Sequence, residues 1–245
     1  MLQGLYAAAS GMEADQNQFT AISNDLANLN TPGYQGEEIG FSDLLYSSGG
    51  NSTGTDLATG TGAAATVIGR SQTAGDLEQT GNPLDVAING DGYLEVRRSD
   101  GSVGLTRNGS LQLDAKGQLT DTSGNPLVPP ITLPKGVEPS DVTISANGDV
   151  TAGKQALGKI QIVNVPAPNQ LQPDGNSLFS VTAGSGPARP ATGATLTQGA
   201  VEGSNVDEAQ AMSDMVNAEN SYSMAGQAIQ YQDQMLQIAN QIKSQ

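Results

Sequence analysis

Any chemistry in this chain has to be done without imidazole or thiol, because its 245 residues include no histidine and no cysteine. That removes thiolate nucleophiles, imidazole bases, disulfides and the usual zinc ligand sets. Two glycine-rich clusters and scattered carboxylates remain. Asn89-Gly90-Asp91-Gly92 offers oxygen ligands of the kind calcium takes. It lacks the regular carboxylates and the closing glutamate of an EF-hand loop, and a hairpin turn accounts for it. Gly153-Lys154-Gln155-Ala156-Leu157-Gly158-Lys159 reproduces the glycine and lysine spacing of a phosphate-binding loop. The next residue is Ile160, so the hydroxyl that would hold magnesium is missing, and a strand pattern follows where a helix should begin. No carboxylate pair and no Ser-Lys pair sits in a context that implies acid–base or nucleophilic work. The sequence is read as non-enzymatic, with no catalytic, cofactor-binding or metal residue.

Charge narrows the partners. Acidic residues outnumber basic ones 25 to 10, a formal net charge of −15, which repels phosphate backbones and anionic lipid. Nucleic acid and membrane insertion are therefore not expected, and no apolar run approaches the roughly 20 residues that span a bilayer. The first basic residue is Arg70, so no secretory signal of the basic-then-apolar kind is expected and export would need another route. With 31 glycines and 4% aromatic residues, the core is lean and the turns are many.

The elements that frame these features begin with a helix. Leu5, Ala8, Met12, Asp15, Phe19, Ile22, Leu26 and Leu29 alternate by three and four, a heptad seam with Asp15 as its polar member. It stops at Asn30-Thr31-Pro32-Gly33. Residues 34–65 then read as an extended connector, rich in Gly, Ser and Thr from Ser47 to Ala65. Residues 66–195 read as an antiparallel β-domain of sandwich or barrel kind. Its short runs are Thr66–Arg70, Leu84–Ile88, Tyr93–Arg97, Leu111–Leu113, Ile131–Leu133, Val142–Ile144, Ile160–Val165 and Leu178–Val181, separated by Gly, Asn and Asp turns. Residues 196–203 return to a second helix over 204–245, with Ser204-Asn205 as the N-cap. In it Met224, Ala228, Tyr231, Met235, Ile238 and Ile242 repeat the spacing of the first seam. The fold class is thus α+β, mainly β, with terminal helices that pair as a coiled coil.

Both helices are poor in charge on their flanks, and the second carries amides such as Gln227, Gln230, Gln234 and Gln237 instead. A solvated coiled coil shows Lys and Glu there, so the pattern points to helices surrounded by further copies of themselves. Asp15 reads as a register-setting or inter-subunit contact.

Three motifs then carry a resemblance. Asn24-Asp25-Leu26-Ala27-Asn28-Leu29-Asn30-Thr31-Pro32-Gly33-Tyr34 closely resembles the signature of bacterial flagellar rod and hook proteins. Gly81–Tyr93 and Leu196–Val206, the latter ending in Ser204, Asn205 and Val206, match the same family in the same order. The resemblance implies a structural axial subunit of the flagellar basal body, exported unfolded through the flagellar type III apparatus. It implies a tubular polymer lined by the terminal helices, with copies of itself, neighbouring rod and hook proteins and surrounding ring proteins as contacts. Within the family the distal-rod subunit looks nearest, ahead of the proximal-rod and hook paralogues. This chain departs from the pattern at Gln35, at Asn220-Ser221-Tyr222 and at Gln227, where the family often has a basic residue, Arg-Ala-Tyr and lysine. Outside the family, a secreted β-domain on a helical stalk, recognising glycan or protein, is the alternative.

Overall fold

The structure, a computed structural model, describes residues 2–44, 46–47, 59–60 and 62–243. The chain forms two compact units: Met1–Ala27, Glu37–Ile68 and Asp207–Gln245 in one, and Asn28–Gly36 with Gly69–Val206 in the other.

In the first unit α1 (Leu2–Ala27) and α2 (Glu208–Lys243) pair. They run antiparallel: Gly4 lies against Gln232, while Asp15 and Phe19 share a groove with Met215 and Tyr222. Ala14, Ala21 and Ile22 of α1 and Ala218 of α2 are buried, and Ala218 lines the groove between the helices. The cap of α2 is Asp207, not Ser204-Asn205: its Oδ1 accepts the Gln210 amide at 3.0 Å, an N-cap bond to the third residue of the helix. Asn205 is occupied elsewhere, as described below. β1 (Glu37–Asp43), in the stretch read as connector, pairs with β4 (Ala63–Arg70), which runs on from that stretch into Thr66–Arg70, the first run read as β-domain; β2 (Tyr46–Ser47) pairs with β3 (Thr59–Gly60). The Asn17 amide of α1 donates to the Ala65 carbonyl at 3.3 Å. Residues 45, 48–58 and 61 of the connector lie outside the described residues.

The second unit holds β5 (Leu77–Gln79), β6 (Val86–Asn89), β7 (Tyr93–Arg97), β8 (Val103–Thr106), β9 (Gln112–Leu113), β10 (Leu119–Thr120), β11 (Val142–Ile144) and β12 (Asp149–Ala152). It continues with β13 (Gln155–Lys159), β14 (Ile162–Asn164), β15 (Gln172–Gly175), β16 (Leu178–Ser180), β17 (Arg189–Pro190), β18 (Thr195–Gln198) and β19 (Ala200–Glu202). Its largest sheet has the order β15-β16-β8-β7-β14-β17, every pairing antiparallel. Side chains alternate across a strand, and here both faces are covered. Leu94, Val96 and Leu178 join the main core with Val86, Ile131 and Val150, while Tyr93, Leu105, Val163 and Phe179 form a second cluster.

The strand expected at Ile131–Leu133 is instead an extended core segment with a single bridge, Gln118 to Thr132, and Ile131 fully buried. Pro129, Pro130 and Pro134 flank it, and proline has no amide to give a ladder. The phosphate-loop lookalike is the β12–β13 hairpin, with Gly153 at a φ of +59° in its turn, so no helix N-terminus is present to receive a phosphate. Residues 196–203, read as a return segment, are strands: β18 pairs with β6 and β19 with β5. A fragment of residues 69–206 should therefore melt in one cooperative transition by circular dichroism. One ended at residue 195 strips β5 and β6 of their partners and should lose that cooperativity.

Candidate functional site

The three sequence motifs meet at one buried polar cluster in the β-unit. At its centre is an ion pair between Arg107, just after β8, and Glu202, the last residue of β19. The Arg107 Nη2 to Glu202 Oε2 distance is 2.8 Å, and both side chains are 4% exposed. Arg107 Nε also donates to Glu202, at 2.8 Å to Oε2. The guanidinium reaches the carbonyls of Gly90 and Gly92 at 3.3 Å each. The carbonyls of the Asn89–Gly92 turn are thus turned onto an arginine, the opposite of an open calcium loop. Among the described residues no cluster of acidic side chains is arranged to hold a metal ion. Glu202 Oε1 accepts the Gly75 amide at 3.1 Å, and Arg107 sits 6.0 Å from the Tyr93 ring centroid.

The first motif joins through its backbone. Gly33 has a φ of +66° and donates its amide to the Glu202 carbonyl at 2.8 Å. A Cβ at this position would fall 2.4 Å from the Asn108 nitrogen, so both the conformation and the space require glycine. Gln35, buried here where the family often has a basic residue, accepts from the Tyr93 hydroxyl at 3.4 Å. Its carbonyl takes the Arg70 guanidinium at 2.7 Å, and that group lies 5.5 Å from the Tyr34 ring centroid. Burial pushes the Tyr93 phenol up, against the nearby Arg107 charge.

Asn205 of the third motif is the next tie. Its Oδ1 accepts the Gly36 amide at 2.8 Å, and its Nδ2 donates to the carbonyls of Ser71 at 3.1 Å and Thr73 at 2.9 Å. Its own amide reaches the Tyr34 carbonyl at 3.3 Å. Ser204 Oγ takes the Val206 amide at 3.3 Å. The segments that follow α1 and precede α2 are therefore bonded to each other.

The second motif is an Asx-turn closed on a buried carboxylate: Asp85 accepts from Asn82 Nδ2 at 2.9 Å and Thr80 Oγ1 at 2.6 Å. Gln198 clamps it to β11, donating to the carbonyls of Pro83 at 2.6 Å and Val142 at 2.8 Å and accepting the Ile144 amide at 3.0 Å.

Comparison with known proteins places these segments together. Residues 5–35 match the model "Flagella basal body rod protein", residues 87–152 the "Flagellar hook protein FlgE/F/G D1 domain", and residues 197–242 the "Flagellar basal body rod FlgEFG protein C-terminal". The chain is 35% identical over 265 residues to the flagellar basal-body rod protein FlgG of Caulobacter vibrioides, covering 99% of this chain and all of that one. FlgG of Buchnera aphidicola subsp. Acyrthosiphon pisum is 34% identical, with the same coverage. FlgF of Salmonella typhimurium is 32% identical over 260 residues, spanning all of this chain and 99% of the relative. The chain belongs to the flagellar basal-body rod family.

As a rod-family protein the chain is structural, and its motif residues act as joints. At the end of α1, Asn24 Nδ2 contacts Glu37 Oε1 at 3.4 Å, and Asp25 Oδ1 takes the Glu37 amide at 3.1 Å. Leu26 is half-buried and Ala27 exposed. Asn28 and Thr31 close the turn, Thr31 donating its hydroxyl to Asn28 Oδ1 at 3.2 Å, with Asn30 exposed and Pro32 half-buried before Gly33. Among the described residues, no helix is long and apolar enough to cross a membrane.

The two expected seams fare differently. On α1, Ile22 is buried, Leu5, Ala8, Met12, Asp15, Leu26 and Leu29 are half-buried, and Phe19 is exposed. On α2, Met224, Ala228, Tyr231, Met235, Ile238 and Ile242 all stand exposed, so they do not supply the face that packs on α1. The cause is helical phase. The residues of α2 that meet α1 include Met215, Ala218, Glu219, Tyr222 and Gln232, and at about 3.6 residues per turn Met224, Tyr231, Met235, Ile238 and Ile242 fall on another face. Reading the sequence missed Arg107, Glu202, Gln198 and Asp85; the available signal was Glu202, an acid inside an apolar strand run bounded by Gly199 and Gly203.

Replacing Arg107 with methionine strands a buried carboxylate and should cost about 3–5 kcal/mol in urea unfolding. Arg107→Met with Glu202→Met should recover most of that loss. Burial in the groove raises the Asp15 carboxyl above its ordinary value. Its ionised form is thus disfavoured in the packed helices, so their stability is highest below the unfolded value and is lost as pH rises through the folded one. Melting of the helical signal should rise from about pH 7 to about pH 4, and Asp15→Asn should remove part of that rise.

Proposed function

We propose that this chain is a distal-rod-type subunit that polymerises with copies of itself into a helical tube, the terminal helices forming its inner layer. Neighbouring rod and hook proteins continue the axis, the flagellar export apparatus delivers the subunit, and ring proteins surround it. End-to-end similarity to proteins named FlgG supports the rod reading. The observation that carries the polymer is the stripe on α2. Met212, Val216, Met224, Tyr231, Met235, Ile238 and Ile242 are each more than half exposed.

Isolated exposed apolar residues are ordinary, but a continuous stripe along a helix marks an interaction surface. The flanks of α2 are mostly amide, so little charge must be desolvated when copies come together. A contact of this kind that does not close on itself builds a helical polymer.

Electron microscopy of the concentrated protein should show tubes. Tyr231→Asp places a charge in the stripe and should abolish them, with thermal melting of the β-unit unchanged. Discrete small oligomers from the unaltered protein would overturn the reading.

A further inference from the structure

The chain has no cysteine, histidine or tryptophan. Hydrogen peroxide, a two-electron oxidant, therefore meets one kind of soft nucleophile in it, the thioether sulfur of methionine. The six methionines are unevenly placed. The β-unit contains none; Met1 precedes α1, Met12 is in α1, and Met212, Met215, Met224 and Met235 are in α2.

Exposure divides the helical ones. Met12 and Met215 are half-buried, while Met212 is 54%, Met224 63% and Met235 59% exposed. At about 100° per residue, Met224 and Met235 leave the helix within about 20° of one another and about 16 Å apart along it. Tyr231, Ile238 and Ile242, also more than half exposed, share that face. An oxidant arriving from water reaches these three exposed sulfurs first. They belong to the same stripe that carries the polymer reading.

We propose that Met212, Met224 and Met235 of α2 are a site of reversible oxidation, and that their sulfoxides hold the subunit unassembled. The proposal rests on the polymer reading above and adds a control on its contact. In the step itself a sulfur lone pair takes one oxygen of the peroxide. The S–O bond forms as the O–O bond breaks, and the second oxygen leaves as water. Sulfur is oxidised by two electrons and peroxide is reduced by two. The product is a polar side chain with a strong acceptor oxygen. Packing it between copies removes that oxygen from water without supplying a donor, which opposes association. Inside the polymer the same sulfurs are covered, so assembled copies resist the oxidant. A dithiol-dependent sulfoxide reductase reverses the change, the oxygen leaving as water and the dithiol becoming a disulfide.

The test starts from the full-length subunit, treated with hydrogen peroxide until peptide mass spectrometry shows one added oxygen on each of the three methionines. The critical concentration for tubes should rise about tenfold or more, with β-unit melting unchanged. Sulfoxide reductases of both stereospecificities, with a dithiol, should restore it. The triple variant Met212→Leu, Met224→Leu, Met235→Leu keeps apolar volume without the sulfur; it should assemble, and go on assembling after the same treatment. Preformed tubes give an independent reading, since their three sulfurs should oxidise at least about fivefold more slowly than those of the free subunit. Unimpaired tubes from fully oxidised protein, an equal loss in the leucine variant, or equal oxidation rates in tubes and free subunit would overturn the inference while the polymer stands. Absence of tubes from the untreated protein overturns both.

Discussion

The β-unit depends on burying one full positive and one full negative charge at the same point. Arg107 and Glu202 are 95 residues apart in sequence, and each is almost completely removed from water. Taking such ions out of solvent costs several kcal/mol apiece, and mutual attraction offsets this only if the remaining donors and acceptors are also satisfied. Here they are. Two turn carbonyls complete the guanidinium and the Gly75 amide completes the carboxylate. The glycine content of the surrounding loops follows from this requirement. Backbone must come close to the ion pair from several directions, and Gly33 and Gly75 lie where a Cβ would collide with the Asn108 nitrogen and the Gly203 carbonyl. An apolar replacement would hold the core as well or better, but it would not fix which segments meet. The pair specifies a junction.

The helices follow the opposite logic. Their mutual contact leaves most of the α1 seam only half-buried, so it contributes modestly to stability at about 25 cal/mol per Å². Large apolar side chains are left on the outer stripe of α2. A chain selected to fold alone would place Met224, Tyr231 and Ile238 inward. Their outward placement makes the helix pair a component with unfinished burial, which is what a subunit of a larger layer requires.

How far this was legible from residue order depends on distance along the chain. The α1 seam, its stop before Pro32 and the β-texture are local patterns, and local periodicity reports them directly. The α2 face was not legible, because that helix carries two apolar stripes, one through Met224, Tyr231, Met235 and Ile238 and one through Met215, Ala218 and Tyr222. Only the packing against α1 decides between them. The cap of α2 was displaced for a related reason. Asn205 and Asp207 are both good caps by type, but Asn205 is drawn into bonds with Gly36, Ser71 and Thr73, segments over 130 residues earlier. The motif glycines and asparagines were visible as residues, while the ion pair they surround was hidden, since its two halves are 95 residues apart and stand on or next to strands of different sheets, β19 and β8.

Charge then separates the two units in kind. In the β-unit a cation is buried and fully partnered; in the helices, carboxylates stand against a lone lysine. At a Debye length of about 8 Å, most exposed carboxylates on neighbouring helices are screened from one another. Asp15 is the exception on α1, because burial already raises its pKa and further packing would withdraw more of its water. A polymer of these helices therefore meets its electrostatic opposition at the groove that holds Asp15 and Glu219, not uniformly along the helix.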